Sequence, residues 1–402
     1  MDFIKLSNIG KEKLIDNIKM LLYKRLNNIF DILDFEDYTI YQEPLFFPSF
    51  KEREFVEKSL DPIIFGYSKN ELNSKSVYLK SDKNGRIYIP NLGWLITKKK
   101  LTEFEIKKKE KLELKYNNEI CEFTYEPIQY IEKTNIELLK YSLPILEQFY
   151  YDVELNRVDV EIEKITKKHT FHLSRAFYLV KKYIPDHFKL IESVTKKVVI
   201  FNVDYKLRNS FATLNAHGIS FFNAYQENYN EVFFIDDIAH QTGHIIFNTI
   251  IYDIEEFIEV APSHVLEELK NKKGEIVETR NIHIVFHALY TYYTTFICLD
   301  AMLENNVFKG EKLHELLGRM KFYILKCYLD IKLIDDPITD NQESKKLFTK
   351  KGVMIYSEIK NKHQEMINKW KHKIQDFNLD NQPYNFTYSN FVELNPLNEN
   401  NN

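Results

Sequence analysis

The sequence predicts an α+β protein in which a β-rich first part precedes a mainly helical second part. Short alternating strand patterns dominate residues 76–131, and long helical patterns dominate from residue 132 onwards. This change of pattern predicts a division into residues 1–131 and 132–402. With 402 residues, the chain is long enough for one large domain or two.

Charge and composition argue against several classes of protein. The net charge of -4 gives no general attraction to nucleic acid. The three cysteines, Cys121, Cys298 and Cys327, form no disulfide framework, which favours a reducing compartment. The first residues lack the features of a signal peptide, and no apolar run is long enough to span a membrane. We therefore expect a cytoplasmic protein with neither a nucleic-acid nor a membrane partner.

In the first part, apolar residues at helical spacing predict an amphipathic helix over residues 9–33. Alternating segments then predict a series of strands, and Asn117-Asn118 predicts a hairpin turn between the last two. We hypothesise that this β-rich part recognises a peptide by strand addition to a sheet edge. The predicted strands are 76–80, 86–90, 94–97, 111–116 and 119–125.

In the second part, Thr134 and Glu137 form a candidate capping box for a helical segment over residues 134–182. Two apolar segments, 196–203 and 218–223, predict strands. The remaining segments are predicted to be helices, over 233–251, 263–271, 280–303, 312–333 and 347–377.

The helix predicted over 233–251 carries the first candidate site. His240 and His244 are four residues apart, so a helix places both imidazoles on one face, close enough to bind one metal ion. The pattern is HExxH with Gln241 in place of the glutamate, which is the general base of a zinc hydrolase. Because an amide accepts no proton near neutral pH, the site lacks the usual machinery for peptide hydrolysis. Two partly buried core histidines would give the same pattern.

A second histidine pair strengthens the metal hypothesis. His283 and His287 repeat the spacing on another predicted helix. A polar stripe follows the same face amid apolar residues, which indicates a helix whose inner face lines a site. The alternative is an amphipathic surface helix. The stripe consists of Arg280, His283, His287, Tyr290 and Thr294.

Residues 134–330 resemble the HExxH-type, 2-oxoglutarate-dependent peptide β-hydroxylases found with ribosomally made, modified peptides. Three anchors carry the resemblance: a strand, loop and strand over 198–220, the histidine pair His240–His244, and the Arg280–Tyr290 element. The sequence departs from the family pattern at Gln241, at Asn281 in place of a proline, and at Ile284 in place of a glycine.

The resemblance implies an oxygenase that hydroxylates the β-carbon of a residue in a ribosomally made precursor peptide. It implies that His240, His244 and His287 bind Fe(II), and that 2-oxoglutarate is the co-substrate. Arg280, or else Arg319, would bind the distal carboxylate of 2-oxoglutarate. For Arg280, a salt bridge with Glu278 is the alternative role. Residues expected to orient ligands or substrate are Gln241, His283 and Tyr290.

Other assignments remain open. The third metal ligand could be Asp237, which shares the His240 face, or His283 in place of His287. A rival function is a catalytically inactive, zinc-peptidase-like protein that binds a peptide or partner, and a second rival is a structural protein with core histidines. Further candidate ligands are Glu255, Glu256 and Glu259, and His217 from the loop before Gly218.

Overall fold

The computed structural model describes residues 1–51, 56–68, 77–108, 111–226, 229–270, 273–335 and 346–397. Both helices and sheets are present, with a β-rich N-terminal region and a helical C-terminal part, which confirms the predicted α+β class.

The helices are α1 (Phe3–Arg25), α2 (Ile29–Ile32), α3 (Phe46–Lys51), α4 (Val56–Tyr67), α5 (Glu163–Tyr183), α6 (Pro185–Val194), α7 (Glu231–Ile250), α8 (Ile282–Glu304), α9 (Gly310–Asp335), α10 (Lys350–Ile374) and α11 (Tyr388–Leu394). The strands are β1 (Val77–Lys80), β2 (Arg86–Ile89), β3 (Gly93–Ile96), β4 (Glu103–Lys108), β5 (Leu112–Tyr116), β6 (Glu119–Ile120), β7 (Thr124–Pro127), β8 (Glu137–Leu138), β9 (Lys197–Phe201), β10 (Phe211–Ala212), β11 (Ile219–Asn223), β12 (Val265–Lys270) and β13 (Ile276–Asn281).

The chain folds into two compact units that do not follow the division predicted at residue 131. The sheet unit comprises the described residues of Lys11–Phe171 and Glu192–Glu227. The histidine unit comprises the described residues of Met1–Gly10, His172–Ile191 and Asn228–Asn402. Each unit is therefore assembled from segments that are distant in sequence.

The sheet unit contains three sheets. Two are antiparallel, with strand orders β1-β4-β5-β6 and β2-β3-β7. The third has the order β10-β11-β9-β8, in which β9 runs parallel to both its neighbours. Asn117 and Asn118 have φ angles of 50° and 65°, so the predicted hairpin turn between β5 and β6 is confirmed.

A buried ionic cluster joins β2, β8 and β9 inside this unit. The Nζ atom of Lys197 lies 2.6 Å from Glu137 Oε2 and 3.1 Å from Glu43 Oε2. The hydroxyl of Tyr88 donates to Glu137 at 2.8 Å, and that of Tyr67 donates to Glu43 at 3.0 Å. Because each buried charge has charged or hydrogen-bonding partners, the cluster meets the condition for retaining ions in a core.

One predicted helix begins later than expected, and a second one is wrong. The Thr134 hydroxyl donates to the Ile131 carbonyl and accepts from the Ile136 amide, so it closes a turn before β8 instead of capping a helix. Helix α5 begins only at Glu163. Residues 265–270 form β12, which pairs with β13. Pairing between strands outweighs the weak local helical pattern of this segment.

In the histidine unit, α7 and α8 pack together, and α9 and α10 pack against α8. Helix α8 is long and apolar enough to cross a membrane, but 72% of its most apolar window is buried inside the protein. That burial is typical of the core helix of a soluble protein.

Candidate metal centre

Helix α7 is the structural base of the candidate site. The Asn230 side chain caps its N-terminus by accepting from the Val232 amide at 2.7 Å. Almost every side chain of α7 is buried; the partly exposed ones are His240, His244 and Asn248. These three lie at successive helical turns, so the histidine pair occupies the open stripe of an otherwise enclosed helix.

Close packing brings α8 to this stripe. The Thr294 hydroxyl on α8 donates to the Ala239 carbonyl on α7 at 2.9 Å. At Gly243, a Cβ would lie 2.5 Å from Thr294 Oγ1 and 3.4 Å from Thr291 Cα. Glycine within the histidine motif therefore permits the helix approach that places the two histidine pairs side by side.

The four predicted histidines do come together. The ring centroids of His240 and His244 lie 5.2 Å apart, and those of His244 and His287 lie 5.9 Å apart. His283 follows at 4.5 Å from His287. The histidines thus form one continuous row across α7 and α8.

Two of these imidazoles carry buried nitrogens without a hydrogen-bond partner among the described residues, namely His240 Nδ1 and His287 Nε2. Burial lowers the pKa of both rings well below the ordinary value, and the nearby His244 lowers each further. Burial also lowers the pKa of His244 to about 4. Near neutral pH all three rings are therefore neutral, which is the form that binds a metal ion.

The side chains at this site are donors of the type that a metal ion binds, but their spacing matches a metal site only at the first histidine pair. Two imidazoles on one metal have ring centres roughly 5 Å apart, given metal–nitrogen bonds of about 2.1 Å. His240 and His244 match that separation, whereas His287 lies slightly farther away. Over the described part of the chain, no three His, Cys, Asp or Glu side chains stand close enough to hold a metal ion in their present rotamers. The residues therefore fit a metal ion by the type of donor they offer, which is the neutral imidazole.

Gln241 faces its own helix. It is buried, and its Nε2 donates to Asp237 Oδ1 at 3.3 Å. Asp237, the alternative third ligand, is thus held one turn before His240 by the residue that replaces the usual glutamate.

The structure corrects the placement of Arg280. This residue lies on β13, not on the second histidine helix, because α8 begins at Ile282 behind the Asn281 cap. Its Nη1 lies 2.8 Å from Asp330 Oδ1 on α9. The expected alternative partner, Glu278, is farther away at 3.9 Å. As placed, the Arg280 guanidinium is committed to Asp330.

Arg319 is committed as well. It is fully buried on α9, and its Nη1 lies 2.6 Å from Asp236 Oδ2. Its Nη2 lies 2.7 Å from Glu315 Oε1. Both arginines expected to bind a co-substrate carboxylate are therefore paired with carboxylates of the protein.

Helix α9 adds residues that the sequence analysis missed. Tyr323 lies 5.9 Å from His240 between ring centroids, and Tyr292 of α8 lies 6.2 Å from His240. Lys326 donates to the Tyr384 carbonyl at 2.9 Å, and its charge contributes to the lowered pKa of His240. The sequence does indicate that these residues share one face of a helix, because they recur at helical spacing: Arg319, Tyr323, Lys326 and Asp330.

Lys326 is the cation of this site without a carboxylate partner. No described carboxylate oxygen lies within 4 Å of its Nζ, and the ammonium stacks 4.0 Å above the Tyr384 ring. Burial lowers the pKa of Lys326 to about 8, while Asp330 opposes that shift. The lysine thus remains mainly protonated at pH 7.

Tyr290 belongs to the core. Its ring stacks on Phe247 at 4.5 Å and meets the edge of Phe3 at 5.5 Å. Phe247 also contacts His287 edge-on at 4.8 Å. Tyr290 therefore supports the His287 region through packing.

The remaining candidates do not join the row. Glu255, Glu256 and Glu259 follow the end of α7 and are exposed, and Glu256 accepts from Lys351 at 2.5 Å. His217 belongs to the sheet unit, where its ring packs 5.7 Å from Phe47.

Comparisons with known proteins suggest no function, so any functional assignment rests on this geometry. A search against protein-family models and a search of curated proteins each found no match for the chain.

Proposed function

We propose that this chain is a cytoplasmic, non-haem Fe(II)- and 2-oxoglutarate-dependent oxygenase that modifies a residue of a ribosomally made peptide, by hydroxylation at a β-carbon. The supporting observation is the row of His240, His244 and His287 at the open stripe of a buried helix pair. Imidazole suits Fe(II), and the two orphaned nitrogens lack any structural partner among the described residues.

In this proposal, His240, His244 and His287 hold the metal. Bound Fe(II), with 2-oxoglutarate and O2, supplies the oxidising power for an unactivated C–H bond. Gln241 is compatible with that chemistry because no general base is required at its position. Its hydrogen bond to Asp237 keeps this carboxylate one turn from the histidines.

Lys326 is the best candidate to bind the co-substrate carboxylate. Arg280 and Arg319 already pair with Asp330 and with Asp236 and Glu315. Lys326 uses one donor on the Tyr384 carbonyl, which leaves two ammonium donors for an anion. Tyr292 and Tyr323 pack beside His240 and against each other.

The test is succinate release from 2-oxoglutarate by anaerobically Fe(II)-loaded protein after exposure to O2. We expect turnover in the wild type and its loss in both His240→Ala and His287→Ala, with a matching loss of bound iron. His372→Ala, a substitution of an exposed histidine on α10, is the control and should retain both. Iron binding and turnover that survive both cluster substitutions would refute the assignment.

A second candidate is an inactive, zinc-peptidase-like peptide-binding protein. Gln241 in place of the catalytic glutamate favours it, because an amide cannot act as the general base of a zinc hydrolase. This alternative predicts zinc retained from expression and no succinate under the same conditions. If the protein binds neither iron nor zinc, the histidines have a structural role instead.

A further inference from the structure

The sheet unit contains a cavity of about 540 Å³, well within the size range of ligand sites. Its walls are mainly apolar and include Ile63, Trp94 and Leu143. A smaller pocket of about 180 Å³ adjoins it, since Arg86 and Ser142 line both. This smaller pocket is polar, and it is lined by acidic and basic side chains together.

One wall of the cavity is held rigid from behind. The Tyr88 hydroxyl is fixed by Glu137 at 2.8 Å and by Lys197 at 3.0 Å. Trp94 packs on Tyr88 at 4.8 Å, and Tyr141 meets the edge of Trp94 at 4.9 Å. A wall fixed in this way loses little conformational entropy when a ligand binds.

Strand β1 lines the cavity and is an edge strand of its sheet among the described residues. Ser81 donates to the Thr102 carbonyl at 2.9 Å, and Leu79 pairs with Phe104 in the same antiparallel register. Because hydrogen bonds alternate along such a pair, the amides and carbonyls of Tyr78 and Lys80 point away from β4. These outward groups bond to no other described residue.

Strand β2 is also an edge strand among the described residues, but on that edge the amide and the carbonyl of Arg86 already bond to Asp82. Thr97 donates to the Gly85 carbonyl at 2.7 Å, and Ile87 pairs with Leu95, so the main chain of Tyr88 points away from β3. Among the described residues, the cavity therefore meets the outward main chain of Tyr78 and Lys80 on β1 and that of Tyr88 on β2.

The smaller pocket holds an additional polar group. Tyr150 lines it, is buried, and has a hydroxyl without a hydrogen-bond partner among the described residues. A buried hydroxyl in this state gains a hydrogen bond if a ligand supplies a carbonyl or an amide.

We propose that the two pockets form a binding site for an extended peptide segment. A bulky apolar side chain occupies the larger cavity, the main chain pairs with the edge of β1, and the adjoining polar part of the peptide reaches the Tyr150 pocket. This site stands independently of the oxygenase proposal, because it lies in the sheet unit and contains none of the candidate metal ligands.

The test uses 19F NMR of protein labelled with 5-fluorotryptophan. The chain has two tryptophans, of which Trp94 lines the cavity and Trp370 lies on α10, so Trp94→Phe assigns the signals. The probe is a blocked hexapeptide with a central phenylalanine flanked by valine and threonine, and p-cresol is the small-molecule probe. We expect the peptide to shift the Trp94 signal saturably and to leave the Trp370 signal unchanged.

Two matched pairs of variants locate the binding. Tyr78→Pro removes an outward amide without breaking a bond to β4, whereas Tyr78→Ala keeps that amide. We expect peptide affinity to fall about fivefold further in the proline variant. Ser142→Phe fills the neck between the pockets and should abolish the shift, whereas Ser142→Ala should retain it. Unchanged thermal midpoints establish that the variants are folded.

Two outcomes overturn the proposal. If p-cresol binds as tightly as the peptide and Tyr78→Pro matches Tyr78→Ala, the cavity takes free small molecules instead. If neither probe moves the Trp94 signal, or if Ser142→Phe leaves the shift unchanged, the cavity is not the site.

Discussion

The contact between α7 and α8 at Gly243 gives the sharpest prediction. In Gly243→Ala, the new Cβ would lie 2.5 Å from Thr294 Oγ1, which must move and give up its bond to the Ala239 carbonyl. Overpacking costs about 1–3 kcal/mol, and the lost hydrogen bond adds about 1 kcal/mol. The higher helix propensity of alanine returns about 1 kcal/mol. The net expectation is a destabilisation of about 1–3 kcal/mol.

Urea unfolding followed by circular dichroism measures this change. Thr294→Ala removes the clashing hydroxyl, so the double variant should be more stable than the sum of the two single effects by about 1 kcal/mol. Asn248→Ala, at a partly exposed position on the same helix, is the control and should change stability by under about 0.5 kcal/mol. A Gly243→Ala protein as stable as the wild type, with no coupling to Thr294, would refute the close-packing argument.

Three further predictions concern charged groups. The pKa of Lys326 is lowered from 10.5 to about 8, so between these pH values the unfolded chain binds more protons and the contribution of this group to stability rises with pH. Lys326→Met should therefore raise the thermal midpoint at pH 7, and this gain should shrink from pH 8 to 10. An equal gain at pH 7 and pH 10 would contradict this reasoning. Arg280→Ala leaves the buried Asp330 carboxylate without its cation and should lower the free energy of unfolding in urea by about 2–3 kcal/mol. Part of this loss should be recovered in Arg280→Ala/Asp330→Asn, and no recovery would count against the pairing. Lys197→Met leaves Glu43 and Glu137 facing each other without a cation, so it should lower stability by about 3–5 kcal/mol in urea unfolding. Part of this loss should be recovered in Lys197→Met/Glu137→Gln, and no recovery would contradict the ionic explanation.

The sequence predicts the two histidine pairs because the spacing of residues along a helix is a local property. His240 and His244, and likewise His283 and His287, share a face whenever their segments are helical, and both segments are. That the two pairs meet depends on Gly243 and Thr294, whose contact is tertiary and leaves no periodic signal.

Arg280 shows where the sequence reasoning failed. Its place in a polar stripe suggested a continuous helix, yet Asn281 caps α8 by accepting from the Ile284 amide at 2.9 Å. Asparagine at that position favours a helix start, so a capping argument would have found the boundary. Lys326 was missed for another reason, because a lysine on an amphipathic helix is ordinarily solvated and only the packing of α9 shows otherwise.

The open stripe of α7 also has a consequence for mutational tolerance. Folding constrains the buried positions of this helix strongly, since nearly any change there disturbs packing. At His240 and His244, which are partly exposed, folding constrains the residue type less strongly than at these enclosed positions. In a saturation library, selection for folded protein alone should therefore accept diverse residues at these two positions, and selection for activity should return histidine. Comparing the two selections would distinguish residues that folding requires from residues that activity requires.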